Sequence, residues 1–398
     1  MRQHGMWWAF LTMFLIRPGL VQAKTPLERL KEIVSINSGS ANVEGVLAVQ
    51  KKIRPWFEEL GFEVVLKENP EGSEKSAPML IGTLVGKSPR SITLTMHADT
   101  VFEPSSPFQK WIMKDESLMN GPGVMDDKGG IIVALEALEI YLSGLKSRNE
   151  KPRYTLIVEV TPNEEVGALG WEKTFRELSE QSDLVIGLEP AYRKGIVEGR
   201  KGNVWFEIEV TGKEAHAGVN HRLGVNACNL LAKKMVELEK LTDYPKNVTV
   251  SVGRIEGGQD KYNIVCGWAK AKMDSRVPDA AARDRLVKAV GRILKDPAIR
   301  FKITDETVPM AARPLSRPWT QKVLEWIRQE EGGSPEAHIS GGVGDVNHYA
   351  REGLVVMDGL GPVGDHMHTP EEFIDLRTIP TRARVLARLL EEFGSKGP

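Results

Sequence analysis

Cysteine is scarce in this chain: Cys228 and Cys266 are the two among 398 residues. Two thiols cannot by themselves build a structural zinc site or an iron–sulfur cluster. Neither lies in a C-x-x-C motif or a disulfide-dense segment, so they read as independent core thiols, although an oxidising compartment would let them pair. Net charge is nearly absent as well, at −1. With no Lys/Arg tract, nucleic acid and anionic membrane surfaces drop out as expected partners. Also missing are a Walker loop, a G-x-S-x-G elbow and an H-E-x-x-H pair, and with them the chemistries those motifs carry. Apolar runs are short; the one at Met6 to Ile16 cannot span a bilayer. Arg2 precedes it and V-Q-A follows at 21–23, so residues 1–23 read as a secretory signal peptide, with the mature chain starting near Lys24. That implies a periplasmic or secreted protein with no membrane contact after cleavage. An uncleaved anchor or a misassigned start codon is the alternative, the latter giving a cytoplasmic protein.

What is present is an ordinary globular composition, 41% hydrophobic and 27% charged, in a chain long enough for two or three domains. Apolar residues recur at helical spacing in "PLERLKEIVSI" and "EGVLAVQKKIRPWFEELG". Strands are expected at 62–67, 79–85 and 91–97, a helix at 128–143, and further strands in "RYTLIVEVTP" and "DLVIGLEP". This rhythm implies a mostly parallel sheet covered by helices. Near residue 200 the pattern changes. "GNVWFEIEVTG" alternates strictly, as an antiparallel or edge strand would, and is compatible with pairing across a two-fold. A helix (225–241), two strands (248–255, 268–276), a helix (280–294) and a strand (300–305) follow. That is the β-α-β-β-α-β order of a ferredoxin-like sandwich. The expectation is an α/β catalytic domain in two parts, 24–198 and 309–398, with an α+β domain inserted at 199–308.

Histidines and acids gather where apolar strands end. "SITLTMHADT" puts His97 and Asp99 two residues apart, on one side of a strand. "NGPGVMDDKGG" bends around Asp126 and Asp127. "VEVTPNEEVGALG" places Glu164 and Glu165 after a strand, "LVIGLEP" does the same for Glu189, and "LGPVGDHMHTPEEF" holds His366 and His368. Taken singly, each has an ordinary reading as a cap, an acidic loop or a surface histidine. Taken together they do not, because converging carboxylates repel and desolvate badly unless a cation joins them. Imidazoles with carboxylates and no thiolate suit zinc, cobalt or manganese, and this many ligands suit two ions.

The motifs H-A-D-T (97–100), G-P-G-V-M-D-D-K-G-G (121–130), N-E-E-V-G (163–167), L-E-P (188–190), G-K-E-A-H-A-G (212–218) and H-T-P-E-E-F (368–373) resemble, in order, those of the dinuclear zinc exopeptidases. That family includes glutamate carboxypeptidase, acetylornithine deacetylase, succinyl-diaminopimelate desuccinylase and aminoacylase, and the wording is nearest the glutamate carboxypeptidase branch. The inserted domain falls where that family has its lid and dimerisation domain. The resemblance implies two divalent ions, zinc first, with cobalt or manganese as substitutes. His97, Asp126 and Glu189 would hold one; Asp126, Glu165 and His368 the other. Asp99 would orient His97, and Glu164 would be the general base for a water between the ions. His216 would reach a partner subunit's site in a homodimer and steady the oxyanion. Arg276 would bind the substrate carboxylate, with Asn263 as a further contact and Gly341, Gly342 and Gly344 as a backbone-donor loop. Cys266 stands where the family often has proline, which loosens the assignment of Asn263. His366 is the rival of His368, and Asp127 of Asp126. The implied reaction is hydrolysis of an amide beside a free carboxylate in a small N-acyl amino acid or peptide, releasing a C-terminal amino acid such as glutamate. An N-acyl-amino-acid deacylase and an inactive peptide- or metal-binding member are the alternatives.

Overall fold

Thr25 opens the first helix of this computed structural model, which describes residues 24–70, 76–191 and 195–397; the expected signal segment lies outside them. The Thr25 hydroxyl accepts from the Glu28 N–H, the Glu28 carboxylate accepts from the Thr25 N–H, and Pro26 fits the first turn, giving α1 (Pro26–Val34). Asn42 caps α2 (Val43–Glu59) by accepting from the Gly45 N–H. Next come β1 (Glu63–Lys67), β2 (Met79–Leu84), β3 (Ser88–His97), the short β4 (Ile112–Met113) and β5 (Leu118–Asn120), α3 (Lys128–Ser147), β6 (Tyr154–Thr161), α4 (Glu172–Gln181), β7 (Ser182–Gly187) and β8 (Ile196–Arg200). The middle of the chain forms β9 (Gly202–Thr211), α5 (Ala227–Glu239), β10 (Thr249–Gly257), β11 (Trp268–Val277), α6 (Ala280–Ile293) and β12 (Ile299–Glu306). The last part adds α7 (Arg317–Glu331), β13 (Ala337–Ser340), α8 (Val346–Tyr349), β14 (Val355–Met357), β15 (Gly364–Asp365), β16 (Phe373–Asp375) and α9 (Thr378–Lys396).

The central sheet runs β1-β2-β6-β3-β7-β14. Its last four strands are parallel; β1 and β2 join antiparallel. Alternate residues of each parallel strand enter opposite layers. Leu156, Val158, Leu184 and Ile186 pack with α1, α2, α3 and α9, whereas Ile157 and Val185 pack with Trp171 and Phe175 of the α4 region and Tyr349 of α8. Apolar side chains on both faces are what a covered parallel sheet requires. Because these strands share one direction, the turns after β3, β6 and β7 meet at a single edge, where ligands of such sheets bind.

A second sheet, β10-β11-β9-β12, is antiparallel throughout. With α5 and α6 it follows the ferredoxin-like order. Val204, Phe206, Ile208 and Val210 of β9 face those helices and form a core of their own with Leu231, Leu238, Leu286 and Val290. The other face carries cross-strand charge pairs, Lys270–Glu209 at 2.7 Å and Lys302–Glu207 at 3.0 Å. The edge-strand expectation for "NVWFEIEVTG" is corrected here: β9 lies between β11 and β12, and the edges are β10 and β12. Strict alternation reports one wet face, not a missing neighbour.

The cysteines also correct their expectation. Cys228 and Cys266 form a disulfide. Cys228 lies in the first turn of α5 and Cys266 precedes β11, and the Ala227 N–H donates to the Cys266 carbonyl at 2.9 Å. That bond sets the two backbones side by side, a proximity that sequence separation conceals.

Candidate metal centre

Each acid or histidine is delivered by the end of a central strand or by the small sheet β15-β16-β5-β4. His97 ends β3 and is fully buried. Its Nδ1 lies 3.2 Å from the Asp99 carbonyl oxygen and 3.3 Å from Asp99 Oδ1, and its Nε2 lies 2.9 Å from Asp126 Oδ1 and 3.6 Å from Glu189 Oε1. Asp99 does more than face His97. Its carboxylate accepts from the Glu164 N–H at 3.0 Å, the Glu165 N–H at 3.2 Å and the Ser40 hydroxyl at 2.6 Å. One buried acid thereby fixes the histidine and the turn that carries both glutamates.

Asp126 lies between the two imidazoles. Its Oδ1 meets His97, and its Oδ2 lies 3.2 Å from His368 Nε2. The same nitrogen is 3.2 Å from Glu165 Oε2. Pairing of β16 with β5 aligns Phe373 with Asn120 and so sets the loop of His368 against the loop of Asp126. Within the first loop, Gly123 has φ +74°, and a Cβ there would lie 2.6 Å from the Thr100 methyl. His366 is exposed, its ring tilted against Phe373, and it is not among the grouped ligand atoms. Asp127 is buried, and neither of its carboxylate oxygens has a hydrogen-bond partner among the described residues.

Ligand atoms of His97, Asp126 and Glu165 fall within 4.8 Å of one another, as do those of His97, Glu164 and Glu189. The electrostatics show what such a cluster lacks. Burial, then the Asp126 charge, pushes the Glu189 carboxyl up to about 8, against the pull of Arg200. Burial, then Asp126, lifts Glu165 to about 7. Burial and the Glu189 charge hold Glu164 well above its ordinary range. The hydrogen bonds to Asp126 and Glu165 raise His368 to about 10. Three glutamates driven toward neutrality, beside imidazoles driven toward the cation and an Asp126 carboxyl that those imidazoles hold below its ordinary range, form a site that divalent ions fit, since metal displaces the protons and keeps every ligand basic. Two imidazoles and several carboxylates suit a zinc-like ion.

A cavity of about 660 Å³ opens on this cluster. Glu164, Glu165 and Glu189 line it together with Arg276 and the Gly341–Gly344 turn. Asp274 braces Arg276, accepting from its Nε at 3.0 Å and from Trp205 Nε1 at 2.6 Å. The remaining guanidinium nitrogens of Arg276 have no protein partner among the described residues. In the turn, the Gly342 N–H donates to Ser340 Oγ and the Gly344 N–H to Asn347 Oδ1. The amides of Gly341 and Val343 have no such bond among the described residues. His216 and Asn263 are not brought to this cavity. Both are exposed on adjoining turns, where the Ala217 N–H donates to the Asn263 carbonyl at 2.8 Å. His216 Nδ1 accepts from the Gly218 and Val219 amides.

Sequence reasoning missed several residues. Glu372 accepts from the amides of Gly123, Met125 and Asp126, holding the Asp126 loop in place. It stands in the H-T-P-E-E-F motif, so its acid before a short strand was a usable signal. Asp345 and His348 line the cavity without having been singled out. Arg200, buried beside Glu189, sits in "VEGRKG", which reads as an ordinary basic pair.

The model of the family described as Peptidase family M20/M25/M40 matches residues 93–392. Among curated proteins, carboxypeptidase G2 of Pseudomonas sp. (strain RS-16) is 25% identical over 93% of this chain and 89% of its own length. The acetylornithine deacetylase of Aliivibrio salmonicida is 28% identical over 91% of this chain and 97% of its own. Among solved structures, a tripeptidase from Staphylococcus aureus superposes with a TM-score of 0.78 at 22% identity, covering 93% of this chain and 98% of its own. A metallo-carboxypeptidase from Sulfolobus solfataricus gives 0.73 at 18% identity, covering 94% and 100%.

Proposed function

The chain belongs to peptidase family M20/M25/M40 and is a hydrolase, and on that premise we propose that it cleaves an amide next to a free carboxylate, releasing a C-terminal amino acid. The observation that carries the reading is one cavity lined both by the histidine–carboxylate cluster and by a braced, outward-free Arg276. His97, Asp126 and Glu189 would hold one divalent ion, and Asp126, Glu165 and His368 the second. When bound, such ions supply Lewis acidity and an acidified water. The chain's own residues do the rest. Glu164 takes the proton from the attacking water and returns it to the leaving nitrogen. Asp99 holds His97 and the Glu164 amide in register. Arg276 pairs with the substrate carboxylate, and the free amides of Gly341 and Val343 donate to it.

His216 and Asn263 fit a homodimer in which a second copy completes the cavity. The disulfide and the segment at 1–23 fit export to an oxidising compartment. The acetylornithine deacetylase relative keeps N-deacylation as the second reading.

The test is Glu164→Gln against wild type, on N-acyl amino acids, dipeptides and their C-terminal amides. The variant should keep its metal content and lose about 10³-fold or more in kcat. Wild type should prefer free carboxylates over amides. Loss of metal in the variant would assign Glu164 to the ions instead, and equal rates on acids and amides would end the carboxypeptidase reading.

A further inference from the structure

Arg200 closes β8 with its side chain 5% exposed, and four groups meet its guanidinium. Nε donates to Asp358 Oδ2 at 2.6 Å. Nη1 donates to the carbonyls of Gly342 and Val343, each at 3.3 Å. Nη2 stands 3.6 Å from Glu189 Oε2. The surroundings are shaped for this side chain. A Cβ on Gly344 would come within 3.0 Å of the guanidinium carbon, and a Cβ on Gly187 would strike Asp358. Asp358 is fully buried, and its Oδ1 accepts from the Gly359 N–H at 2.7 Å.

A buried guanidinium must be compensated on all sides. Here the compensation links two places that the reaction uses. One is Glu189, whose Oε2 faces Nη2 of this guanidinium. The other is the turn over the cavity. In a trans peptide the C=O and the following N–H point opposite ways. Holding the Gly342 carbonyl therefore directs the Val343 amide away from Arg200, and that amide is one of the two left without a protein partner.

We propose that Arg200 is a positioning residue that ties the Glu189 carboxylate to the Gly341–Gly344 turn, so that metal retention and recognition of the substrate carboxylate depend on one guanidinium. The inference rests on the reading above of Glu189 as a metal ligand and of the turn as a carboxylate site.

Two substitutions separate its halves. Arg200→Lys keeps a charge near Glu189 but lacks the planar fork that reaches Asp358 and two carbonyls together. Arg200→Met removes both. Zinc affinity is read by competition of the apo-protein with a chromophoric chelator, which needs no turnover; KM is read on an N-acyl amino acid. Arg200→Met should bind zinc at least tenfold more weakly and raise KM at least tenfold. Arg200→Lys should recover much of the zinc affinity and keep the raised KM. A folded Arg200→Met protein with unchanged zinc affinity and KM overturns the proposal, and so does a lysine variant that restores both. If Arg200→Met does not fold, Asp358→Asn takes its place, with the same two shifts expected and their absence equally decisive. A wild-type chain that binds zinc but releases no amino acid would defeat the proposed activity, and the zinc measurement would then judge Arg200 alone.

Discussion

The carboxyl edge of the central sheet and the turns beside the second sheet both present a histidine, and the two could hardly be treated more differently. His97 is fully buried, and both its ring nitrogens are engaged by carboxylates fixed from several strands. His216 is exposed, and its Nδ1 accepts from two amides of its own turn. Burial among acids prepares a site for ions before any arrive. Exposure on a turn leaves the His216 ring outside the cavity of its own chain. Under the proposed homodimer, the metal cluster is complete within one chain and the outlying turns act only after association.

The largest effect that would break this contrast concerns His216. His216→Ala should leave metal content unchanged and lower kcat by about 10²–10³-fold, the loss expected for one oxyanion donor. Mixing it with Glu164→Gln should restore about a quarter of wild-type activity, because random pairing creates dimers with one intact composite site. No recovery on mixing, with both parents inactive, would confine His216 to its own chain's site. Unchanged kcat in His216→Ala would remove it from the reaction.

A smaller effect sharpens the same boundary. The disulfide closes a 38-residue separation between the start of α5 and the turn that carries Asn263. Reducing it, or making Cys228→Ser, should cost about 2–4 kcal/mol of folding stability, measured from the denaturant midpoint. Zinc affinity of the folded protein should stay the same, because no ligand lies in that region. A parallel fall in zinc affinity would show that the two regions are coupled after all.

The sequence disclosed most of the metal edge for a physical reason. An acid or histidine at or just past the end of a mostly apolar strand marks itself, as at His97, Glu164 and Glu189. Helices were legible where caps and periodicity agreed, as at α1. The end of α3 was not, since Gly144 suggests a stop that packing against α9 overrides. Alternation in β9 disclosed its two faces but could not disclose its neighbours. The cysteine pair and Arg200 depend on contacts across the fold, and no local pattern records them. His366 and His368 both have φ near +60°, so backbone conformation does not separate them; the contacts of His368 with Asp126 and Glu165 do.

Inside the central sheet, away from the candidate metal cluster, Glu159 offers the smallest and most specific test. It is fully buried in β6, where it accepts from Thr95 Oγ1 and Thr161 Oγ1, each at 2.6 Å, and from the Tyr349 hydroxyl at 3.2 Å. Burial outweighs those three donors and lifts its carboxyl from 4.5 to about 7. A folded-state value above the unfolded one means that stability is fully present below pH 4.5 and is lost as pH rises through 7. Glu159→Gln removes the ionisation and keeps the shape. At pH 8 it should melt above wild type, by on the order of 1 kcal/mol once the amide's poorer fit to three hydroxyls is counted. At pH 5 the gap should shrink or reverse. A gap that stays constant between pH 5 and 8 would mean that the three hydroxyls hold Glu159 as a stable anion, and that a buried acid can be settled here by neutral donors where the metal edge needs cations.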